Sequence, residues 1–288
     1  MNILVTGAAG FVGTHLLPAL VDAGHSAHGV VRRAGTLQPS DGVHEVVRDL
    51  VRPFDGGALP SADAIVHLAQ ANVRFPEGAR ELYAVNTVAT QALLDHARAC
   101  GAHFVLASTG SVYGFTDHPV DEDDPLLGQD FYSLTKIHSE ALVEAYRPYV
   151  GSAILRLFAP YGPGQHGRLV PSLITRIRER LPVTLNGGGQ PHVSPIFVDD
   201  VVRVILATIA RQEQLVANVA GDEVAGIRDL AERIAAALGR DSIFEDGTPD
   251  GPGDLVADNG RLHQLFDLRP LVSLDEGLRR TVGGQVPA

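Results

Sequence analysis

The chain has 288 residues, 45% of them hydrophobic and 20% charged, with 34 acidic against 23 basic side chains and a formal net charge of −11. Such a chain is long enough to bury a sizeable core, is neither disordered nor fibrous in composition, and lacks the basic surplus that a nucleic-acid surface needs. A single cysteine, Cys100 at the end of an apparent helix, excludes a disulfide framework and a thiolate metal cluster, and the twelve histidines show no metal-ligand spacing. No metal is expected, and Cys100 reads as a packed thiol.

The first half alternates short apolar runs with helical segments, the pattern of a parallel sheet flanked by helices. NILVTG at the N-terminus predicts a strand, and VGTHLLPALVDAG a helix ending at Gly24. SAHGVV, HEVVRD and AIVHLA follow as strands. ELYAVNTVATQALLDHARAC reads as one long helix over 81–100, HFVLAS as a strand, YSLTKIHSEALVEAYRPY as a helix from Tyr132, and SAILRLF as the next strand. Past residue 160 the texture changes. Gly/Pro-rich loops, APYGPGQHG and LNGGGQPHVSP, surround the helix LVPSLITRIRERL. VDDVVRVILATIARQE reads as a helix, LVANVAG as a strand, IRDLAERIAAALG as an amphipathic helix, and the tail as loops ending in the helix LDEGLRRTV. The layout predicts a nucleotide-binding α/β domain over 1–160, to which 196–220 returns, and a smaller lobe made mostly of 161–288. The opening has no basic stretch followed by a long apolar core, and no run of about 18 apolar residues occurs, so a cytoplasmic chain with no membrane partner is expected.

TGAAGFVGTHL places Gly7, Gly10 and Gly13 between the first strand and helix. Glycines there permit a tight turn, close approach of backbone to a pyrophosphate and close helix–strand packing, and the helix start, Phe11 and Val12, faces the phosphate charge. A structural turn rich in glycine is the plainer alternative. At the end of the second strand, where an acid would hold the ribose diol of NAD, stand Val31 and then Arg32 and Arg33. Guanidinium groups suit a 2′-phosphate, which predicts NADP, with NAD left open. Asp49 of RDL (48–50) is placed to accept from the adenine amino group. Leu50 beside it, with Leu68 and Ala69 of HLAQ (67–70), completes the expected cofactor contacts.

Tyr132 and Lys136 of YSLTK stand four apart and share a helix face. Alone, that spacing is common by chance. Together with TGAAGFVG, HLAQ, VN at 85–86, STGSVYG at 108–114, RLFAPYGPGQ at 156–165, FVDD at 197–200, PGDLVAD and LDEGL, it resembles the extended short-chain dehydrogenase/reductases, in particular the NAD-dependent epimerase/dehydratase family. The resemblance spans nearly the whole chain. It implies an α/β fold with a Rossmann-type doubly wound parallel sheet and a smaller C-terminal substrate lobe, and a homodimer formed through helices 81–100 and 132–147. It also implies that Thr109, Tyr132 and Lys136 are catalytic. Thr109 would hold the substrate oxygen, Tyr132 would exchange the proton, and Lys136 would bind the nicotinamide ribose and favour phenolate in a tyrosine whose free pKa is about 10. Ser108, Ser111 and His192 join Thr109 as expected substrate contacts.

Four departures bear on the substrate. Gly110 and Ser111 replace the Asp-Glu pair that the family's dehydratases carry, which argues against water elimination. Ala159, Val193 and the run Asp250–Gly251–Pro252 stand where the family often has an Asn and two Arg that grip a nucleotide diphosphate, although Arg168, Arg176 and His192 could compensate. The expected function is hydride transfer between a nicotinamide and an alcohol or ketone carbon of a sugar-like small molecule. The alternative is a nucleotide-sugar epimerase with tightly bound NAD. A dinucleotide sensor without turnover is a third reading, disfavoured by the intact Thr/Tyr/Lys set.

Overall fold

Strand β1 (Asn2–Thr6) has four of its five side chains buried, as a strand covered on both faces requires. It lies in a computed structural model that describes residues 1–54, 57, 59–268 and 270–284. β1 pairs in parallel with β2 (Ser26–Val31) and with β4 (Ala64–His67); β2 pairs with β3 (Val43–Val47), and β4 with β5 (His103–Thr109). With β6 (Ser152–Leu157) and β10 (Leu215–Val219), the order is β3-β2-β1-β4-β5-β6-β10. The chain therefore winds outward from β1 to β3, returns to the centre and winds the other way, the doubly wound arrangement that the alternation predicts. The reversal falls between β1 and β4, and open sheets of this kind bind ligands at that point.

Helix α1 (Phe11–Asp22) follows β1 through a turn in which the Gly10 amide donates to the Gly7 carbonyl at 2.9 Å. The long helix expected over 81–100 is instead α2 (Ala79–Tyr83), a π-helical turn (Ala84–Val88) and α3 (Ala89–Cys100). The cause lies at Asn86, whose carbonyl accepts the hydroxyls of Thr90, at 2.6 Å, and Ser139. Side-chain hydroxyls that capture a helix carbonyl loosen the regular ladder there. Helix α4 (Phe131–Tyr146) starts where Asp130 accepts the Ser133 amide at 3.1 Å, an N-cap worth roughly 1 kcal/mol.

The chain divides into two compact units. The first holds 1–112, 126–156 and 202–217; the second holds 113–125, 157–201 and 218–288. In the second, α5 (Leu169–Arg178), α7 (Ile227–Leu238) and α9 (Leu274–Gly284) pack together. Arg233 of α7 binds Glu223, Asp229 and Asp275 at 3.1, 3.0 and 2.9 Å. Two short parallel pairs join β7 (Pro160–Tyr161) to β9 (Ile196–Phe197), and β8 (Val183–Leu185) to β11 (Phe244–Asp246). β11, read from sequence as loop, is a polar three-residue strand that only its partner defines. Helix α6 (Val198–Arg211) leads back to β10, and α8 (Gly260–Leu265) lies in the tail.

A methyl group at Gly13 would sit 2.4 Å from the Gly7 carbonyl oxygen and 2.6 Å from that of Ala8. Both obstacles are backbone, so the turn itself would have to move. Gly13→Ala is expected to destabilise the protein by about 1–3 kcal/mol, read as a lowered thermal melting temperature.

Candidate functional site

The carboxyl ends of β1 and β4 meet closely. Gly7 has φ of +69°, and a Cβ there would stand 2.7 Å from the Ala69 nitrogen and 2.8 Å from the Leu68 carbonyl carbon. Only glycine meets both demands. Helix α1 opens after Gly10 with no side-chain cap, leaving the amides of its first turn, at Phe11, Val12 and Gly13, directed at whatever anion lies there. A cradle that a side chain would fill, at an uncapped helix start, fits a dinucleotide's pyrophosphate.

Beneath it runs a buried chain of hydrogen bonds. The Ala69 amide donates to Thr6 Oγ1 at 3.3 Å, Thr6 Oγ1 lies 2.6 Å from His67 Nδ1, and His67 Nε2 lies 3.1 Å from Thr90 Oγ1. Because the Thr90 hydroxyl donates onward to Asn86, the network assigns the proton of His67 to Nε2 and makes Nδ1 the acceptor. Asn86 also accepts the Ala71 amide at 3.2 Å and donates to Thr135 Oγ1 at 2.9 Å, and Thr135 donates to the Tyr132 carbonyl at 2.7 Å. Burial, with a smaller push from the Lys136 charge, drives the His67 pKa down to about 3.

Helix α4 brings two of the expected catalytic residues together. Tyr132 donates its hydroxyl to Gln70 Oε1 at 2.8 Å. Beside it is a mostly apolar cavity of about 430 Å³, lined by Val73, Phe75, Leu82, Phe131 and Leu134 with Gln129 and Asp130. Lys136, 2% exposed, donates to the Ala107 carbonyl at 2.8 Å. Burial lowers its pKa to about 8, and Glu140 opposes that shift. Thr109 ends β5, its Oγ1 accepting the Ser111 amide at 3.2 Å and lying 3.3 Å from Ser111 Oγ. The turn after β5 is held to the start of α4 through Gly128, whose amide donates to the Val112 carbonyl at 2.8 Å. A Cβ at Gly128 would lie 2.5 Å from the Ser111 carbonyl oxygen and 2.6 Å from Ser133 Cβ.

The other expected residues divide. Asp49 caps the Val51 amide at 3.2 Å, and Leu50 packs into the core between its neighbours. Arg32 pairs with Glu81 of α2 at 3.1 Å, and Arg33 is exposed. The loop that follows donates the amides of Gly35, Thr36 and Leu37 to the Glu45 carboxylate at 2.7–3.0 Å. Ser108 is buried and donates its hydroxyl inward to Glu140. His192 belongs to the second unit, where its backbone amide and Nδ1 bind Asp254 Oδ1 at 2.8 and 3.0 Å.

The family model described as NAD dependent epimerase/dehydratase family matches residues 3–220. The chain is 30% identical over 308 residues to the uncharacterized UDP-glucose epimerase YtcB of Bacillus subtilis, covering 98% of this chain and 97% of that protein. It is 28% identical to a probable UDP-glucuronate 4-epimerase of Rhizobium meliloti, covering 98% and 96%. The chain belongs to the NAD-dependent epimerase/dehydratase family. A crystal structure of UDP-glucuronic acid 4-epimerase from Bacillus cereus, in complex with UDP-glucuronic acid and NAD, matches this family member with a TM-score of 0.89 at 26% identity, covering 99% of this chain and 98% of that one. Its Rossmann-like sheet and its enzyme class, an oxidoreductase-type catalyst using a nicotinamide dinucleotide, follow from that membership.

Several residues of this epimerase/dehydratase-family site escaped sequence reading. Gln70, on Tyr132, and Glu81, on Arg32, lie far from their partners in sequence and carry no local signal. Glu140 had one, since it follows Lys136 by four residues and so shares its helix face.

The folded pKa of His67 lies below the ordinary 6.5, so unfolding takes up a proton between about pH 6.5 and 3. Its contribution is complete above pH 6.5 and is lost as the pH falls through that window, at up to about 1.4 kcal/mol per pH unit. His67→Gln is expected to lower stability at pH 7 but to flatten the acid slope, as urea unfolding at pH 7, 5.5 and 4 would show.

Proposed function

We propose that this protein is an NAD-dependent oxidoreductase that oxidises a secondary alcohol, or reduces the corresponding ketone, on a sugar-like small molecule, with Thr109, Tyr132 and Lys136 as its catalytic residues. The observation that carries the reading is the placement of Tyr132 and Lys136 one turn apart on α4, with Lys136 buried on the Ala107 carbonyl two residues before Thr109. When bound, the nicotinamide supplies the hydride acceptor or donor. Gly7, Gly10 and the amides of Phe11, Val12 and Gly13 hold the pyrophosphate. Thr109 orients the substrate oxygen, and Tyr132 takes the alcohol proton or returns it. The ammonium of Lys136 favours the phenolate that this transfer needs. Gln70 accepts from the phenol and keeps its hydroxyl aimed until a substrate oxygen takes over.

NAD rather than NADP is the proposed nucleotide, a revision of what Arg32 and Arg33 suggest in the sequence. Arg32 already has a carboxylate partner in Glu81, and a 2′-phosphate would have to compete with it. NAD is also the nucleotide in the Bacillus cereus structure.

The substrate grip departs from a conventional diphosphate clamp. Val193 is buried and bonded through both backbone groups to Ala225, and a side chain at Gly251 would meet Gln190 Oε1 at 2.0 Å. Ala159 holds φ of +38°, a conformation suited to Asn or Gly, without the polar side chain. Arg176 is engaged with the Pro182 carbonyl at 2.7 Å. The second reading, a nucleotide-sugar epimerase, is favoured by the similarity to proteins named as UDP-sugar epimerases. Thermal stabilisation by UDP- or TDP-sugars would select it, and stabilisation by NAD with none of these would select the first. A homodimer through the segment 81–100 and α4 is supported by exposed Val88, in the π-helical turn, and Leu134, on α4, and is checked by sedimentation. Among the described residues no helix is long and apolar enough to cross a membrane.

Tyr132→Phe is expected to lower turnover by about 10²–10⁴-fold while leaving NAD affinity intact, measured by nucleotide fluorescence and product formation. Glu81→Gln, which frees Arg32, is expected to tighten NADP binding several-fold relative to NAD, measured by parallel titrations.

A further inference from the structure

Lys136 is the sole lysine of the chain; every other long basic side chain is arginine. A guanidinium never gives up its proton, whereas an amine can, so this one position has a requirement that the arginines do not share. What surrounds it is a buried charged cluster. The Ser108 hydroxyl and the Arg156 guanidinium converge on the carboxylate of Glu140, with Arg156 Nη2 at 2.8 Å and Nε at 3.2–3.3 Å. Glu140 lies one turn beyond Lys136 on α4, and Ser108 follows Ala107, whose carbonyl accepts the lysine. Ser108, Glu140 and Arg156 are each less than a tenth exposed.

We propose that Ser108, Glu140 and Arg156 form a positioning cluster for Lys136, in which Glu140 keeps the lysine charged and seated on the Ala107 carbonyl while Arg156 tempers that pull. The inference rests on the reading of Lys136 as the activator of Tyr132. Among the described residues, the charged and titratable groups on the elements around the ammonium are Glu140 and Tyr132 on its own helix, Arg156 on β6, bound to Glu140, and His67 on β4, the last kept neutral by burial. Burial works against the ammonium and Glu140 works for it, so the balance is held by a carboxylate that is itself clamped from two strands.

Because the chain has one lysine, protein labelled with ¹³C-lysine gives a single Cε signal, and its titration by NMR reads Lys136 alone without nucleotide or substrate. Glu140→Gln is expected to lower the midpoint by about one pH unit, a tenfold loss of proton affinity, and Arg156→Met to raise it. Glu140→Gln removes the buried carboxylate that Arg156 binds and can fail to fold. The double variant Glu140→Gln/Arg156→Met removes the buried guanidinium together with its carboxylate, and Lys136 can shed its proton, so it should fold. Its midpoint is expected to fall by about half a pH unit, because Glu140 sits one helical turn from the lysine whereas Arg156 acts from beyond the carboxylate it binds. A double variant titrating with the wild-type midpoint, or single variants shifting in the same direction, would overturn the proposal. If Tyr132→Phe kept full activity while these shifts appeared, the catalytic reading would fail and the cluster's role would stand.

Discussion

The close approach of β1 to β4 at their carboxyl ends sets the geometry of the first unit. With Gly7 against Leu68 and Ala69, the two strands leave no room for a side chain where the sheet changes direction. The turn into α1 then has one course, and the first amides of α1 are left facing outward. The same proximity lets Thr6 and His67 bond across the strands, and from His67 a continuous line of hydrogen bonds reaches Thr90, Asn86, Thr135 and the Tyr132 carbonyl. One crevice in the sheet is thereby tied to the start of α4. Buried polar chains of this kind are worth having only when every member is satisfied, and this one depends on an imidazole that stays neutral.

Asn86 is the junction of that line, and it also explains the irregular helix. A helix carbonyl taken by the hydroxyls of Thr90 and Ser139 no longer belongs wholly to the ladder, and the π-turn at 84–88 is the result. Hydrophobic spacing reports where a helix faces the core, but it says nothing of a backbone group claimed by a residue fifty positions away. That is why 81–100 reads as one helix in sequence.

Much of the fold was legible for an equally physical reason. Strands such as NILVT and HFVLAST carry unbroken apolar runs, ILV and FVLA, because both faces are covered, and the glycines of TGAAGFVG are confined to one junction by backbone contacts. The pair Tyr132 and Lys136 was legible because four residues make one turn. Illegible were contacts made by folding alone: Gln70 on Tyr132, Glu81 on Arg32, and Arg156 on Glu140. Ser108 shows the converse. Its sequence neighbours suggested a substrate contact, yet its hydroxyl turns inward, because the side chains of successive residues in a strand alternate between faces.

The burial of Lys136 has a practical side. With the sole ε-amine of the chain packed beneath α4, reagents that acylate or crosslink surface amines find no lysine to react with. Attachment of dyes, supports or crosslinkers to the body of this protein must go through its abundant carboxylates or the half-buried thiol of Cys100.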